Sequence, residues 1–166
     1  MNSRTLLLIA LLLPAGYSVA QHHSTKKEQV MTNKPSILSL YQDCLNKHRF
    51  DLLNDYISPD YTAINGVKGP TGFASTTDAI VKAFPDAQWI VEEVIAEGEK
   101  VYIRWKFEGT HTGGTFQQIA PTGKKVSNTG MGVYTFRDGK VVATNVFTDR
   151  LMFMQQLGVL PVDLGK

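Results

Sequence analysis

The chain has 166 residues, of which 43% are hydrophobic and 19% are charged, a composition typical of one globular domain rather than of a disordered polypeptide. Its 17 Lys and Arg residues against 15 Asp and Glu residues give a formal net charge of +2, and the basic residues are spread along the sequence. Binding to nucleic acid or to a membrane surface needs clustered basic residues, so the charge pattern argues against both functions.

The first 20 residues have the pattern of a cleavable export signal. Arg4 precedes the apolar run LLLIALLL, and a small-x-small cleavage site ends at Ala20. The apolar run is much shorter than the ~20 residues that cross a bilayer, so we expect no stable membrane insertion. These features predict a periplasmic or secreted protein with a signal peptide over residues 1–20. Translation from Met31 would instead leave the protein in the cytoplasm.

A solvated leader and then a helix are predicted next. Residues 21–34 have no hydrophobic period, which indicates a flexible leader ahead of a domain over residues 35–166. From Ser36 apolar side chains recur at steps of three and four, which is typical of an amphipathic helix. Cys44, the only cysteine, lies in that apolar stripe, which indicates a buried thiol rather than a nucleophile.

Two more helices are predicted before the chain changes character. The first covers residues 51–57 and the second residues 72–84, and each is followed by a proline, which cannot continue a helix. Between them, residues 61–64 predict a brief strand and residues 65–70 a loop rich in glycine and proline.

After Pro85 the hydrophobic period becomes two, which predicts strands. Four such segments follow, at residues 88–96, 101–109, 125–136 and 140–149. The turns EGE and RDG join the first pair and the last pair as hairpins. Three helices followed by an antiparallel meander predict an α+β fold, in which the helices cover one face of a curved, mainly antiparallel sheet. We expect a small-molecule pocket between the helices and the sheet.

The last predicted strand carries the clearest candidate for catalysis. Alternation places Ala143, Asn145, Phe147 and Asp149 on one side of the strand. If that side faces the pocket, it offers an amide, an aromatic wall and a carboxylate. Burial would raise the pKa of that carboxylate toward the range that suits a general acid or base. The structural alternative is that Asp149 pairs with an arginine or caps the helix that follows it.

Three other residues are candidates for contacts with a substrate. Histidine exchanges protons near neutral pH, so His111 in the segment GTHTGG could assist a substrate, although a loop histidine bonded to the backbone is commoner. Trp105 is the aromatic residue that best suits a pocket wall, and Tyr61 fits either the wall or the core. The spacing of His, Asp and Glu predicts no metal site, and GTHTGG lacks the Lys-Ser/Thr of a phosphate loop.

Several motifs occur in a characteristic order along most of the chain. They are LYQDCLNKHRFDLLNDYISPDY, AFPDAQWIVEEVIAEGEKV, GTHTG, PTGKKV, DGKVV, and Asp149 followed by QQLGVLP. Over about residues 36–161 this series resembles the SnoaL-like polyketide cyclases of the nuclear transport factor 2-like superfamily. The resemblance implies a conical α+β barrel with a deep apolar pocket, and a homodimer formed through the sheet.

The resemblance also implies an activity. An acidic residue at the position of Asp149 serves that family as acid and base in an intramolecular aldol ring closure that needs no cofactor. We therefore expect proton transfer by Asp149 on a hydrophobic carbonyl compound, and we expect Asn145 and His111 to orient that compound. The chain has Ala143 and Asn145 where the family typically has Glu and Trp. The alternative is a noncatalytic module that binds a small hydrophobic molecule, or a dimerisation domain.

Overall fold

The computed structural model of the protein describes residues 33–161. The predicted signal peptide and almost all of the predicted leader lie outside the described residues. Residues 33 and 34 are already helical, so helix formation begins ahead of the predicted position. None of the helices within residues 33–161 is both long enough and apolar enough to cross a membrane.

The N-terminal part of the described chain is helical, as predicted. Helix α1 covers residues 33–39 and continues as a π-helical segment, Leu40–Leu45. A 3₁₀ turn, Phe50–Leu52, leads into the short helix α2, Leu53–Tyr56. The predicted stripe of α1 is buried, because it packs on the sheet. Its buried members are Ile37, Leu40, Tyr41, Cys44 and Leu45.

Helix α3 covers Gly69–Ala83 and starts three residues before its predicted position. The loop prediction for residues 65–70 gave too much weight to Pro70, which lies in the first turn of the helix, where its fixed φ is favourable. The predicted strand at residues 61–64 is reduced to an isolated bridge between Thr62 and Lys68.

The second half of the chain forms one antiparallel sheet in sequence order. Its strands are β1, Gln88–Glu97; β2, Lys100–Thr110; β3, Lys125–Arg137; and β4, Lys140–Thr148. Each agrees with the predicted strand within one residue at either end. The order is β1-β2-β3-β4, and β1 and β4 are not paired with each other, so the sheet is open rather than a closed barrel. An isolated bridge joins Val141, on the outer edge of β4, to Ile57. The predicted α+β class is confirmed.

The two faces of the sheet differ in burial. On β2, alternate residues from Val101 to Phe107 point inward and are almost completely buried, and they form the core with the helices. The outer face carries charged and partly exposed residues, including Arg104, which is paired with Glu92 and Glu93 on β1. After β4 the chain turns into helix α4, Arg150–Leu157, which packs against β3.

Candidate functional site

A cavity of about 170 Å³ lies between the inner face of the sheet, α3 and α4. An apolar protein cavity of about 150 Å³ is large enough to hold benzene, so this one can enclose a group of about one ring. The residues that line it are Ile80, Trp89, Trp105, Phe107, Phe116, Gln117, Asn128, Thr148, Arg150, Phe153 and Met154.

Five aromatic rings line the cavity, and several of them contact one another edge to face or at a tilt. The ring centroids of Trp89 and Phe107 are 5.3 Å apart, and those of Phe116 and Phe153 are 5.5 Å apart. Phe107 and Phe153 complete the contact between sheet and helix at 6.1 Å. Such contacts fix the rings in place, so the wall is rigid and apolar.

Trp105 lies in the cavity lining, the position that its sequence context predicted. Its indole ring covers Gly130 on the neighbouring strand, and a Cβ added to Gly130 would lie only 2.1 Å from that ring. A glycine is therefore required at residue 130 for Trp105 to lie flat on the sheet. The Trp105 N–H has no hydrogen-bond partner among the described residues.

Asn128 is a polar residue of the cavity wall that the sequence interpretation missed. Its side chain is 3% exposed. Nδ2 donates a hydrogen bond to the carbonyl of Asp149 at 3.1 Å, and Oδ1 accepts one from the amide of Thr129 at 3.0 Å. Asn128 thus ties the junction of β4 and α4 to the cavity wall. A signal was present in the sequence, because Asn128 alternates with the inward-facing Val126 and Gly130.

Asp149 is exposed and does not line the cavity. Its Oδ1 accepts a hydrogen bond of 2.9 Å from the amide of Met152, so its side chain caps the first turn of α4. This is one of the two structural roles that the sequence left open. Its two chain neighbours, Thr148 and Arg150, do line the cavity, so Asp149 lies at the cavity mouth rather than at its base.

Asn145 and Phe147 lie on the outer face of the sheet. Strand alternation groups them as predicted, but the other set, Thr144, Val146 and Thr148, is the one that faces inward. The pairing between strands explains this, since Thr144 is opposite Tyr134, which is buried in the core. Phe147 is accordingly 56% exposed, and the predicted line of an amide, a ring and a carboxylate along a cavity wall does not form.

His111 is completely buried, but it lies outside the cavity lining. Its Nε2 donates to the carbonyl of Gly114 at 3.1 Å, because a carbonyl can only accept. Nδ1 is then left as the acceptor for the amide of Thr122 at 3.4 Å. The ring also stacks on Phe84, with centroids 5.0 Å apart. Both nitrogens are thus used within the loop, the backbone-bonded arrangement that the sequence favoured.

The glycines that follow His111 cap the end of α3. The amides of Gly113 and Gly114 donate to the carbonyls of Ala83 and Lys82 at 3.0 and 2.7 Å. A Cβ on Gly113 would lie 2.0 Å from the Lys82 carbonyl oxygen, so only glycine fits there. The GTHTGG segment therefore serves a structural purpose in this fold.

Tyr61 belongs to the hydrophobic core and is not among the residues that line the cavity. Its hydroxyl makes a hydrogen bond of 3.0 Å with Thr144 Oγ1. Nearby, the hydroxyls of Tyr41 and Tyr134 share a hydrogen bond of 2.7 Å. Burial raises the pKa of Tyr134 to about 12 and that of Tyr41 well above its usual value.

No group of three or more His, Cys, Asp and Glu side chains within residues 33–161 is arranged to hold a metal ion.

Comparisons with known proteins agree with this architecture. A sequence model described as SnoaL-like polyketide cyclase matches residues 36–157. A protein from Jannaschia sp. CCS1, assigned as a SnoaL-like polyketide cyclase, superposes with a TM-score of 0.70 at 23% identity, over 79% of this chain and 94% of its own. No functionally curated sequence matches.

Two structures from Streptomyces are also similar. AclR from Streptomyces galilaeus, assigned as a hydroxylase, has a TM-score of 0.70 at 27% identity, with 82% of this chain and 87% of AclR covered. TsrD from Streptomyces laurentii has a TM-score of 0.68 at 21% identity, with 80% and 97% covered. The family match covers most of the chain, and the solved structures share its fold. The chain therefore belongs to the SnoaL-like polyketide cyclase family.

Proposed function

We propose that the protein binds a small, largely apolar molecule in the cavity between the sheet, α3 and α4. The observation that carries this proposal is the aromatic wall formed by Trp89, Trp105, Phe107, Phe116 and Phe153. Burial of an apolar group against such a wall is favourable by roughly 25 cal/mol per Å² of area removed from water.

The size of the cavity limits the ligand. Sites that bury drug-sized molecules have volumes of about 300–1,000 Å³. At about 170 Å³ this cavity encloses about one ring, so a multi-ring molecule would require the walls to move.

Binding is tested with two bulky substitutions at matched positions. Thr148→Trp fills the cavity from β4, whereas Thr129→Trp places the same side chain on the outer face of β3. We expect Thr148→Trp to abolish binding of small aromatic ketones, measured by ligand-observed NMR, and Thr129→Trp to leave it unchanged. Equal binding by both variants would place the ligand elsewhere.

A second candidate function is cyclase- or isomerase-type catalysis, as the family description suggests. Its support in this chain is the place of Asp149 at the cavity mouth between two lining residues, and the hydrogen bond from Asn128 to its backbone. Oδ1 is held by the helix amide, and Oδ2 has no hydrogen-bond partner among the described residues. Oδ2 can accept a proton from the carbon next to a substrate carbonyl and return it to the product.

That reaction is tested in D₂O by using NMR to measure how fast the hydrogen atoms on the carbon next to a ketone carbonyl exchange for deuterium. Asn caps a helix about as well as Asp, so Asp149→Asn should keep the fold and lose exchange by at least about 100-fold. If the wild-type protein binds ketones but neither protein exchanges them, the noncatalytic role stands.

We also propose export and homodimer formation, which rest on the sequence and on the family resemblance. The N-terminal residue of the protein purified from its native cell, determined by mass spectrometry, tests cleavage near Ala20. Light scattering on the purified protein tests the dimer.

A further inference from the structure

Among the described residues that line the cavity, Arg150 alone carries a formal charge. It is exposed at the cavity mouth, and no carboxylate of the described residues forms an ion pair with it. Arg49 and Arg104 are paired with acidic residues, whereas Arg137, like Arg150, has no ion pair among the described residues, but Arg137 lies outside the cavity lining. A guanidinium beside an apolar cavity is thus left available to a negative group that does not belong to the described chain.

The position of Arg150 has no evident benefit for stability. It is the first residue of α4, and a helix N-terminus carries partial positive charge, which disfavours a cation there. The carboxylate of Asp149 caps the helix through the amide of Met152 and forms no ion pair with Arg150. A residue that breaks a local preference without structural compensation is a candidate for a functional role.

A second, independent feature converges on the same cavity. Gln117 lines it and has a φ of 47°, and Gln118 follows with a φ of 69°. Two consecutive residues with positive φ form a tight turn that strongly prefers the sequence Asn-Gly. Two glutamines in that turn therefore have a strained backbone. The turn is closed by hydrogen bonds of 3.0 and 2.8 Å between Phe116 and Ile119, and Phe116 anchors it in the core. The strained backbone of this turn thus coincides with the position of a glutamine in the cavity lining.

We propose that the natural ligand is amphipathic, with a carboxylate at the cavity mouth bound by Arg150 and an apolar body of about one ring inside. Gln117 and Thr148 supply further hydrogen-bond donors in the same lining. A guanidinium offers two parallel N–H donors that match the two oxygens of a carboxylate. This inference rests on the proposed binding function and names the class of ligand for that site.

Three compounds that differ only in their end group test the proposal: 3-phenylpropionate, 3-phenylpropan-1-ol and 3-phenylpropylamine. Dissociation constants are measured by calorimetry on the full chain at pH 7 and one fixed ionic strength. We expect the acid to bind about five-fold tighter than the alcohol, since an ion pair that is partly exposed to water contributes modestly, and the amine to bind most weakly. Arg150→Gln should remove the preference for the acid over the alcohol.

Matched variants separate the site from general effects of charge and strain. Arg137→Gln removes an exposed arginine of the β3–β4 hairpin, outside the cavity lining, and should preserve the preference for the acid. Gln117→Gly and Gln118→Gly both relieve a strained φ, but only Gln117 lines the cavity. Only Gln117→Gly should therefore lower the affinity for the acid.

The outcomes distinguish this inference from the function on which it rests. If the wild-type protein binds the acid and the alcohol equally, or if Arg150→Gln keeps the preference, the carboxylate proposal is overturned and binding of an apolar molecule stands. If none of the three compounds binds, both proposals are overturned.

Discussion

Cys44 illustrates how burial decides the chemistry of a single residue. Its thiol is fully buried, and it donates a hydrogen bond to the carbonyl of Arg49 at 3.0 Å. Burial, with a smaller contribution from the charge of Asp51, raises its pKa from 9.0 to about 11. The fraction of reactive thiolate at pH 8 is therefore about 100-fold smaller than for a free thiol.

We predict that Cys44 reacts with a disulfide reagent such as DTNB at least about 100-fold more slowly in the folded protein than in urea, because both burial and the raised pKa suppress attack. The absorbance of the released thiolate gives both rates. A fast, complete reaction in the folded state would contradict the buried position that the helical pattern indicated.

Tyr134 makes the stability of the fold sensitive to alkaline pH. Burial raises its pKa from 10.0 to about 12, so the folded state holds the phenol proton more tightly than the unfolded state does. The resulting stabilisation is complete below about pH 10 and is lost as the pH rises toward 12. We expect the free energy of unfolding, measured with urea, to fall by on the order of 2 kcal/mol across that interval.

The variant Tyr134→Phe checks the cause of that pH dependence. It should be less stable than the wild type at pH 7 by about 1 kcal/mol, because the hydrogen bond to Tyr41 is lost. Its stability should also fall less steeply above pH 10. A slope as steep as that of the wild type would assign the alkaline effect to other groups.

At the scale of elements, the loop after β2 is a helix cap built from the sequence GTHTGG. Gly113 and Gly114 donate to carbonyls at the end of α3, but only Gly113 has a carbonyl oxygen where a Cβ would go. We predict that Gly113→Ala destabilises the protein by about 1–3 kcal/mol, since the loop must shift to relieve the clash.

Gly114→Ala is the matched control for that prediction. Its nearest neighbour would be 3.7 Å from the new Cβ, which is an ordinary contact, so thermal denaturation should show little change. Equal effects of the two substitutions would mean that the close approach of Gly113 to Lys82 does not hold this loop.

Strand β4 shows where prediction from the sequence ends. Alternation separated Asn145 and Phe147 from Thr144 and Val146, but each set mixes polar and apolar residues, so hydrophobicity could not tell which one faces inward. The pairing of Thr144 with Tyr134 on β3 decides it. Asp149 likewise suited catalysis or a helix cap in the sequence, and only the three-dimensional position of the Met152 amide distinguishes the two.

At the scale of the whole molecule, the predictable features are those with local causes. Strand limits follow from the period of two and from hairpin turns such as Asp138-Gly139, which has positive φ at both residues. The cavity depends instead on how α4 and the Phe116 turn pack on the sheet, which involves contacts between residues far apart in the chain. For the same reason Gln117 and Arg150 emerged as site residues only in the structure.

The central claim, that the cavity beneath α4 binds a small apolar molecule, is tested most directly by NMR of the methionine methyl groups. Met154 lines the cavity, and Met131 lies on the outer face of β3, 43% exposed. Titration with 3-phenylpropan-1-ol should produce a saturable shift of the Met154 methyl signal and leave the Met131 signal in place. An unchanged Met154 signal at saturating alcohol, or equal shifts of both methyl groups, would contradict the claim.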